Sequence, residues 1–263
     1  MSVNTLGLSR AARIAIATLL GAALCASVLV LGSSGNANAD EQAVKAKRTE
    51  VLGAVGEMKP ALCPTRCEGL AFVTGIQSSI NGVSTPFRVP FNGKITKWKI
   101  ALGKPTKSQR EFFETNFGER PEAGISVLKK VKVDGKTRYL LRRRSPIEGL
   151  NRSLGTVTSF TLKKPLKVAK GNYVALTVPT WAPALWTPKA CAINPATKKM
   201  FDATACTNIR ENYSWRASRD RDKCAPTQLK STSRPQQEVG SKREYGCRFD
   251  GSQLLYRVKI TNR

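Results

Sequence analysis

Apolar positions along the chain fall mostly in short alternating stretches separated by turn residues. Period two is the mark of strands with one buried face. In residues 95–102, Thr96, Trp98, Ile100 and Leu102 share one face while Lys97 and Lys99 share the other, which makes Trp98 a core residue. The last stretch alternates most cleanly: Leu254, Tyr256, Val258 and Ile260 point one way, Arg257, Lys259 and Thr261 the other. Further strands are predicted at 71–77, 87–89, 125–133, 136–142, 157–162 and 173–178, and where Tyr213, Trp215 and Ala217 share a face. Asn81-Gly82, Asn92-Gly93 and Lys170-Gly171-Asn172 supply turns, and Asp134-Gly135 is favoured type I′ hairpin chemistry.

One helix interrupts. Thr106 stands three residues before Gln109, the spacing of a capping box. Phe112, Phe113 and Phe117 give it an apolar side and Gly118 a stop. Its expected role is to cover one end of the sheets. About nine or ten strands with one short helix exclude alternating βα units. The expected fold is all-β: a two-sheet antiparallel sandwich, jelly-roll-like, with one short helix and long disulfide-stapled loops. The stretches 189–210 and 220–242 carry the least pattern and read as long loops.

The N-terminal segment belongs to export. Arg10 and Arg13 precede an uncharged apolar run over 14–31, and Ala37-Asn38-Ala39 fits signal-peptidase cleavage after Ala39. The expected division is a signal peptide over 1–39, a flexible leader over 40–62 and a single sandwich domain over 63–263. The alternative is an uncleaved anchor, since the apolar run is near the lower limit for spanning a bilayer. Either way the expected location is secreted or associated with the cell envelope.

Loss of Cys25 with the signal leaves six cysteines: Cys63, Cys67, Cys191, Cys206, Cys224 and Cys247. An even number in an exported chain reads as disulfides. Fifteen pairings are open, and spacing does not choose among them. The neighbour scheme Cys63–Cys67, Cys191–Cys206, Cys224–Cys247 is the expected one. The spacings lack the paired C-x2-C of zinc ribbons, so no metal site is expected.

Lys and Arg number 44 against 18 Asp and Glu, a formal charge of +26 that becomes +24 without Arg10 and Arg13. Such a field attracts polyanions and weakens with salt. The chain has no histidine. That excludes Ser-His-Asp and Cys-His machinery, His-ligated metals and an imidazole switch near neutrality.

The segments "VPFNGKITKWKIALGKPT", "SPIEGL", "VAKGNYVALTVPTWAPAL" and "YSWRAS", following C-x3-C, resemble a family of exported bacterial β-sandwich-like proteins with no established activity. The likeness spans roughly residues 63–260. It implies the pairs Cys63–Cys67 and Cys224–Cys247, and the Cys191–Cys206 stretch looks like an insertion. "KGNYVALTVP" is also similar to a strand entry of extracellular β-sandwiches.

Candidate chemistry lies in three places. Trp181 and Trp186, in a proline-rich loop after a strand, could stack on sugar rings or fold back as a lid on the core; closeness to the strand favours the lid for Trp181. Arg142, Arg143 and Arg144, with Lys129, Lys130, Lys132, Lys136 and Arg138, make a cationic hairpin suited to phosphate or sulfate groups, or to blocking edge-to-edge aggregation. Among the acids, Glu111 and Glu114 read as helix-surface residues, while Glu148 is the one to test for hydrolysis. No P-loop, dinucleotide fingerprint or G-x-S-x-G is present.

The expected protein is a non-catalytic, cofactor-free binding protein whose cationic surface attaches to anionic wall polymer, with no specific nucleic-acid partner. The alternatives are a neutral-glycan module using Trp181 and Trp186, and a hydrolase working through carboxylates.

Overall fold

A computed structural model of the chain describes residues 46–59, 61–63, 67–191, 197, 201–224 and 234–262. The expected signal segment and its cleavage after Ala39 lie outside them. The strands, in chain order, are β1 (Thr49–Leu52), β2 (Leu70–Ile80), β3 (Val83–Ser84), β4 (Gly93–Ala101), β5 (Glu122–Val133), β6 (Lys136–Arg144), β7 (Glu148–Gly149), β8 (Val157–Val168), β9 (Tyr173–Ala182), β10 (Leu185–Trp186), β11 (Ser214–Ala217), β12 (Lys242–Arg243), β13 (Cys247–Asp250), β14 (Gln253–Leu254) and β15 (Tyr256–Thr261). Two helices, α1 (Lys107–Phe117) and α2 (Ala203–Asn212), join them.

The smaller sheet runs β1-β15-β4-β8 and the larger β12-β6-β5-β9-β2-β11-β13, with β3 beside β2 and β7 beside β5. All these pairings are antiparallel. Without the short additions, eight strands remain, β1, β2, β4, β5, β6, β8, β9 and β15, in the orders β1-β15-β4-β8 and β2-β9-β5-β6. That interleaving is the jelly roll of two Greek keys. One core lies between the sheets, filled by Ile95, Trp98, Ile100, Tyr256, Val258 and Ile260 from the smaller and Val73, Ile125, Val127, Val174, Leu176 and Val178 from the larger.

The hairpin of β5 and β6 turns at Asp134 and Gly135 with φ of 49° and 72°, as type I′ geometry requires. In α1 the Thr106 hydroxyl accepts from Gln109 N, and the Gln109 side chain accepts from Thr106 N. Burial follows the alternation: Trp98, Ile100 and Leu102 are buried while Lys99 is exposed. A bulge between Ile95 and Lys97 brings Ile95 into the core as well.

Three expectations change. Residues 49–52, expected in a leader, form an edge strand paired with β15, and Leu52 reaches the core. With four residues and one buried side chain, β1 depends on its partner for stability. Among the described residues there are two helices, because most of α2 lies in the stretch read as a loop over 189–210. Its Asp202 side chain caps Ala205 N, and Cys206 ties it to Cys191. Thr, Asn and Cys are weak helix formers, so tertiary attachment decides this helix. The third change concerns the insertion between β9 and β15. It adds β11 and β13 beside β2, crosses the outer face of the larger sheet and places β12 on the opposite edge beside β6.

The disulfides follow the neighbour scheme: Cys63–Cys67, Cys191–Cys206 and Cys224–Cys247. Among the described residues, no helix is long and apolar enough to cross a membrane.

Candidate functional site

Trp181 is the last-but-one residue of β9 and is 0% exposed. Its ring stacks on Phe113 of α1, and Nε1 donates to Gly118 O at 2.8 Å. Pro-rich flanks and the helix therefore hold it as the lid of the core, and a ring without accessible surface offers no platform for a sugar. Trp186 is half-buried in β10, edge-on to Tyr213 at 5.1 Å, with Lys59 Nζ 5.7 Å from its ring centre. The two tryptophans do not form one surface.

Arg142, Arg143 and Arg144 end β6. The pairing of β5 with β6 shifts between Val127 and Leu128, and Arg142 is the extra residue of the bulge. Arg142 and Arg144 are exposed and Arg143 is half-buried. The triplet thus divides between surfaces, as three consecutive residues on one strand must. Arg144 lies instead beside Glu148, in a second cleft at the side of the sandwich.

Ordinary alternation along β5 separates two clusters. Val127 faces the main core, whereas Leu128 and Leu141 join a smaller cluster with Ile76, Ala175 and Tyr245 on the outer face of the larger sheet. The insertion covers this cluster as a strap over residues 234–246. Its anchor is Gln236, fully buried: N donates to Thr74 Oγ1 at 2.9 Å, Nε2 to Tyr139 O and Ser241 O, both at 2.9 Å, and Oε1 accepts from the Tyr245 hydroxyl at 2.9 Å. A buried amide with these partners fixes the strap in one position.

Beside the strap is an open cleft of about 810 Å³, lined by Lys130, Lys136, Tyr139, Arg216, Arg221 and Tyr245, with Thr137, Asp222, Glu244 and Gly246. Three parts of the chain supply these cations: the β5–β6 hairpin gives Lys130 and Lys136, β11 gives Arg216, and the segment leading to Cys224 gives Arg221. Arg216 points outward because Trp215 and Ala217, its neighbours, fill the core, and Nη1 donates to Tyr245 O at 3.2 Å. Among the described residues none of the four cations makes an ion pair. The Tyr139 ring meets Tyr173 and Tyr245 edge-on at 5.6 and 4.9 Å, and burial, followed by Tyr173, raises its phenol above the ordinary value. It therefore stands as a neutral hydroxyl. Four cations, two carboxylates and a fixed aromatic hydroxyl suit a ligand bearing anionic groups.

The hairpin residues were legible as cationic in sequence, but their convergence with Arg216 and Arg221 was not. The alternation Trp215-Arg216-Ala217 shows that Arg216 faces outward; only the sheet order shows what it faces. The acids give less. Glu111 and Glu114 pair with Lys107 and Arg110 at 3.9 and 2.6 Å on the surface of α1. Among the described residues, Glu148 shares its cleft with no second acid. Among the described residues no three His, Cys, Asp or Glu side chains converge as a metal site.

No protein-family model, curated protein or solved structure matches the chain.

Proposed function

We propose that this is an exported, non-catalytic binding protein that attaches to an anionic polymer of the cell envelope through the cationic outer face of its larger sheet. The observation that carries this reading is the convergence of Lys130, Lys136, Arg216 and Arg221, none in an ion pair among the described residues, on one cleft beside the cationic hairpin. Solubility alone calls for dispersed charge, not four cations brought by the hairpin, β11 and the segment before Cys224 around one concavity. Lys132, exposed on the same face of β5 as Lys130, and the exposed Arg142 extend the positive surface along the hairpin. Release of condensed counterions from the polymer would supply much of the binding free energy. Export is supported by the three disulfides and the signal-like N-terminal sequence.

The neutral-glycan alternative would rest on Trp186 alone, since Trp181 is buried. The test is retention of the oxidised protein, residues 40–263, on purified wall material and on uncharged insoluble glycans at low and high salt. Retention on wall material at low salt and release at high salt is the expected result. Retention on uncharged glycans that survives high salt would overturn the reading.

A further inference from the structure

The second cleft is built differently from the first. It lies at the open side of the sandwich, between β8, the edge of the smaller sheet, and residues 144–148 from the end of β6 to the start of β7, and has a volume of about 960 Å³. Its floor is apolar: Phe160, Leu162 and Leu166 from β8, with Pro146 opposite. Phe160 is held from behind by the buried Trp98, whose ring it stacks on at 4.7 Å. Ser145 fixes the facing wall, accepting from Ile125 N at 3.0 Å and donating to Pro146 O at 2.7 Å.

The rim is cationic for a specific backbone reason. Ile95 pairs with Leu166 and Lys97 with Thr161, so four residues of β8, 162–165, stand opposite Thr96 alone. This four-residue irregularity carries Lys163 and Lys164 out of the ladder to the cleft margin, and Arg144 stands among the residues of the facing wall. Such an interruption of the ladder re-aims side chains, as β-bulges do next to functional sites. Glu148 is the single carboxylate among the lining residues, and none of these four charged groups makes an ion pair among the described residues. Lysines that merely guard a sheet edge need neither an apolar floor nor an arginine across from them.

We infer that the cleft between β8 and residues 144–148 binds an anionic amphiphile, a single apolar chain ending in a phosphate. The chain lies on Phe160, Leu162 and Leu166, and the head sits between Arg144 and Lys163–Lys164. The guanidinium supplies a two-pronged phosphate contact and the lysines supply point charges. The volume is within the ordinary range for a small-molecule site. This site is separate from the polymer surface and stands or falls independently of it.

The experiment is calorimetric titration of the full oxidised protein with butyl, octyl and dodecyl phosphate below their micelle concentrations, with inorganic phosphate and dodecyl maltoside as single-feature probes. Expected is one-to-one binding that strengthens about threefold per added methylene between butyl and octyl, somewhat below the limit for full methylene burial. Both single-feature probes bind at least tenfold more weakly than dodecyl phosphate. The triple variant R144Q/K163Q/K164Q, altered at surface positions, loses at least tenfold, and the hairpin variant K129Q/K130Q/K132Q/K136Q stays within twofold of the parent. Affinity independent of chain length, an unaffected triple variant, or an equal loss in the hairpin variant would each overturn the inference.

Discussion

Trp181 of β9 and Phe113 of α1 stack with ring centroids 4.9 Å apart and planes 14° apart. Together with the bond from Trp181 Nε1 to Gly118 O, this pair fastens the helix over the end of the sandwich. An isolated helix of eleven residues is marginal in water, so α1 depends on this attachment. Trp181→Ala is therefore expected to destabilise the fold by about 3–5 kcal/mol, as for other buried large-to-small changes. Urea unfolding measures the loss. Polymer retention below the unfolding transition should be unchanged, because the ring has no exposed surface.

Gln236 links the strap to the sheet beneath it. Gln236→Ala would leave Tyr139 O and the Tyr245 hydroxyl without their partner, and a buried unpaired group costs about 1–3 kcal/mol. The expected result is faster amide exchange across 234–246 and weaker polymer binding with no change in charge. Unchanged exchange there would show that the strap is held by its hydrophobic cluster alone.

Tyr245 and Tyr256 are buried, and burial raises both phenols well above their ordinary value of 10.0. In the unfolded chain they ionise near pH 10, so above that pH the unfolded state has released protons that the folded state keeps. Stability linked to these groups is complete below pH 10 and is lost as pH rises from there toward the folded pKa, by up to about 1.4 kcal/mol per pH unit for each tyrosine. Tyr256→Phe keeps the stack on Phe87 at 4.0 Å but removes the bond to Val174 O and one ionisation. It should be less stable at pH 8 and show a shallower fall between pH 10 and 11.5 in urea midpoints. An equally steep fall would contradict the assignment.

Asp222 and Glu244 belong to the same cleft as the four cations. If the cleft holds a polyanion, D222N/E244Q removes repulsion and binding strengthens severalfold at low salt. If the two acids perform hydrolysis, the same variant binds without turnover. Polymer binding and release of soluble fragments, measured side by side, separate these cases.

The sequence displays what local chemistry determines. Capping at Thr106, the hairpin at Asp134-Gly135 and the alternation of 254–261 all reappear, since each is settled within a few residues. What it hides depends on partners remote in the chain. β1 is legible only beside β15. α2 is legible only through Asp202 and its disulfide. The cleft arises because the insertion after β9 carries Arg216 and Arg221 to the outer face on which Lys130 already stands. Trp181 was ambiguous for the same reason: a tryptophan after a strand becomes a lid or a platform according to what packs on it, and here Phe113 does.

The most direct test of the polymer-binding account is the salt dependence of affinity for poly(glycerol phosphate), comparing the parent with K130Q/K136Q/R216Q/R221Q. If the four cations each contact a phosphate group, the slope of log affinity against log salt falls by about 3 in the variant, on the counterion-release scale for nucleic acids. A variant with the parent slope and affinity would show that the cleft is not where the polymer binds.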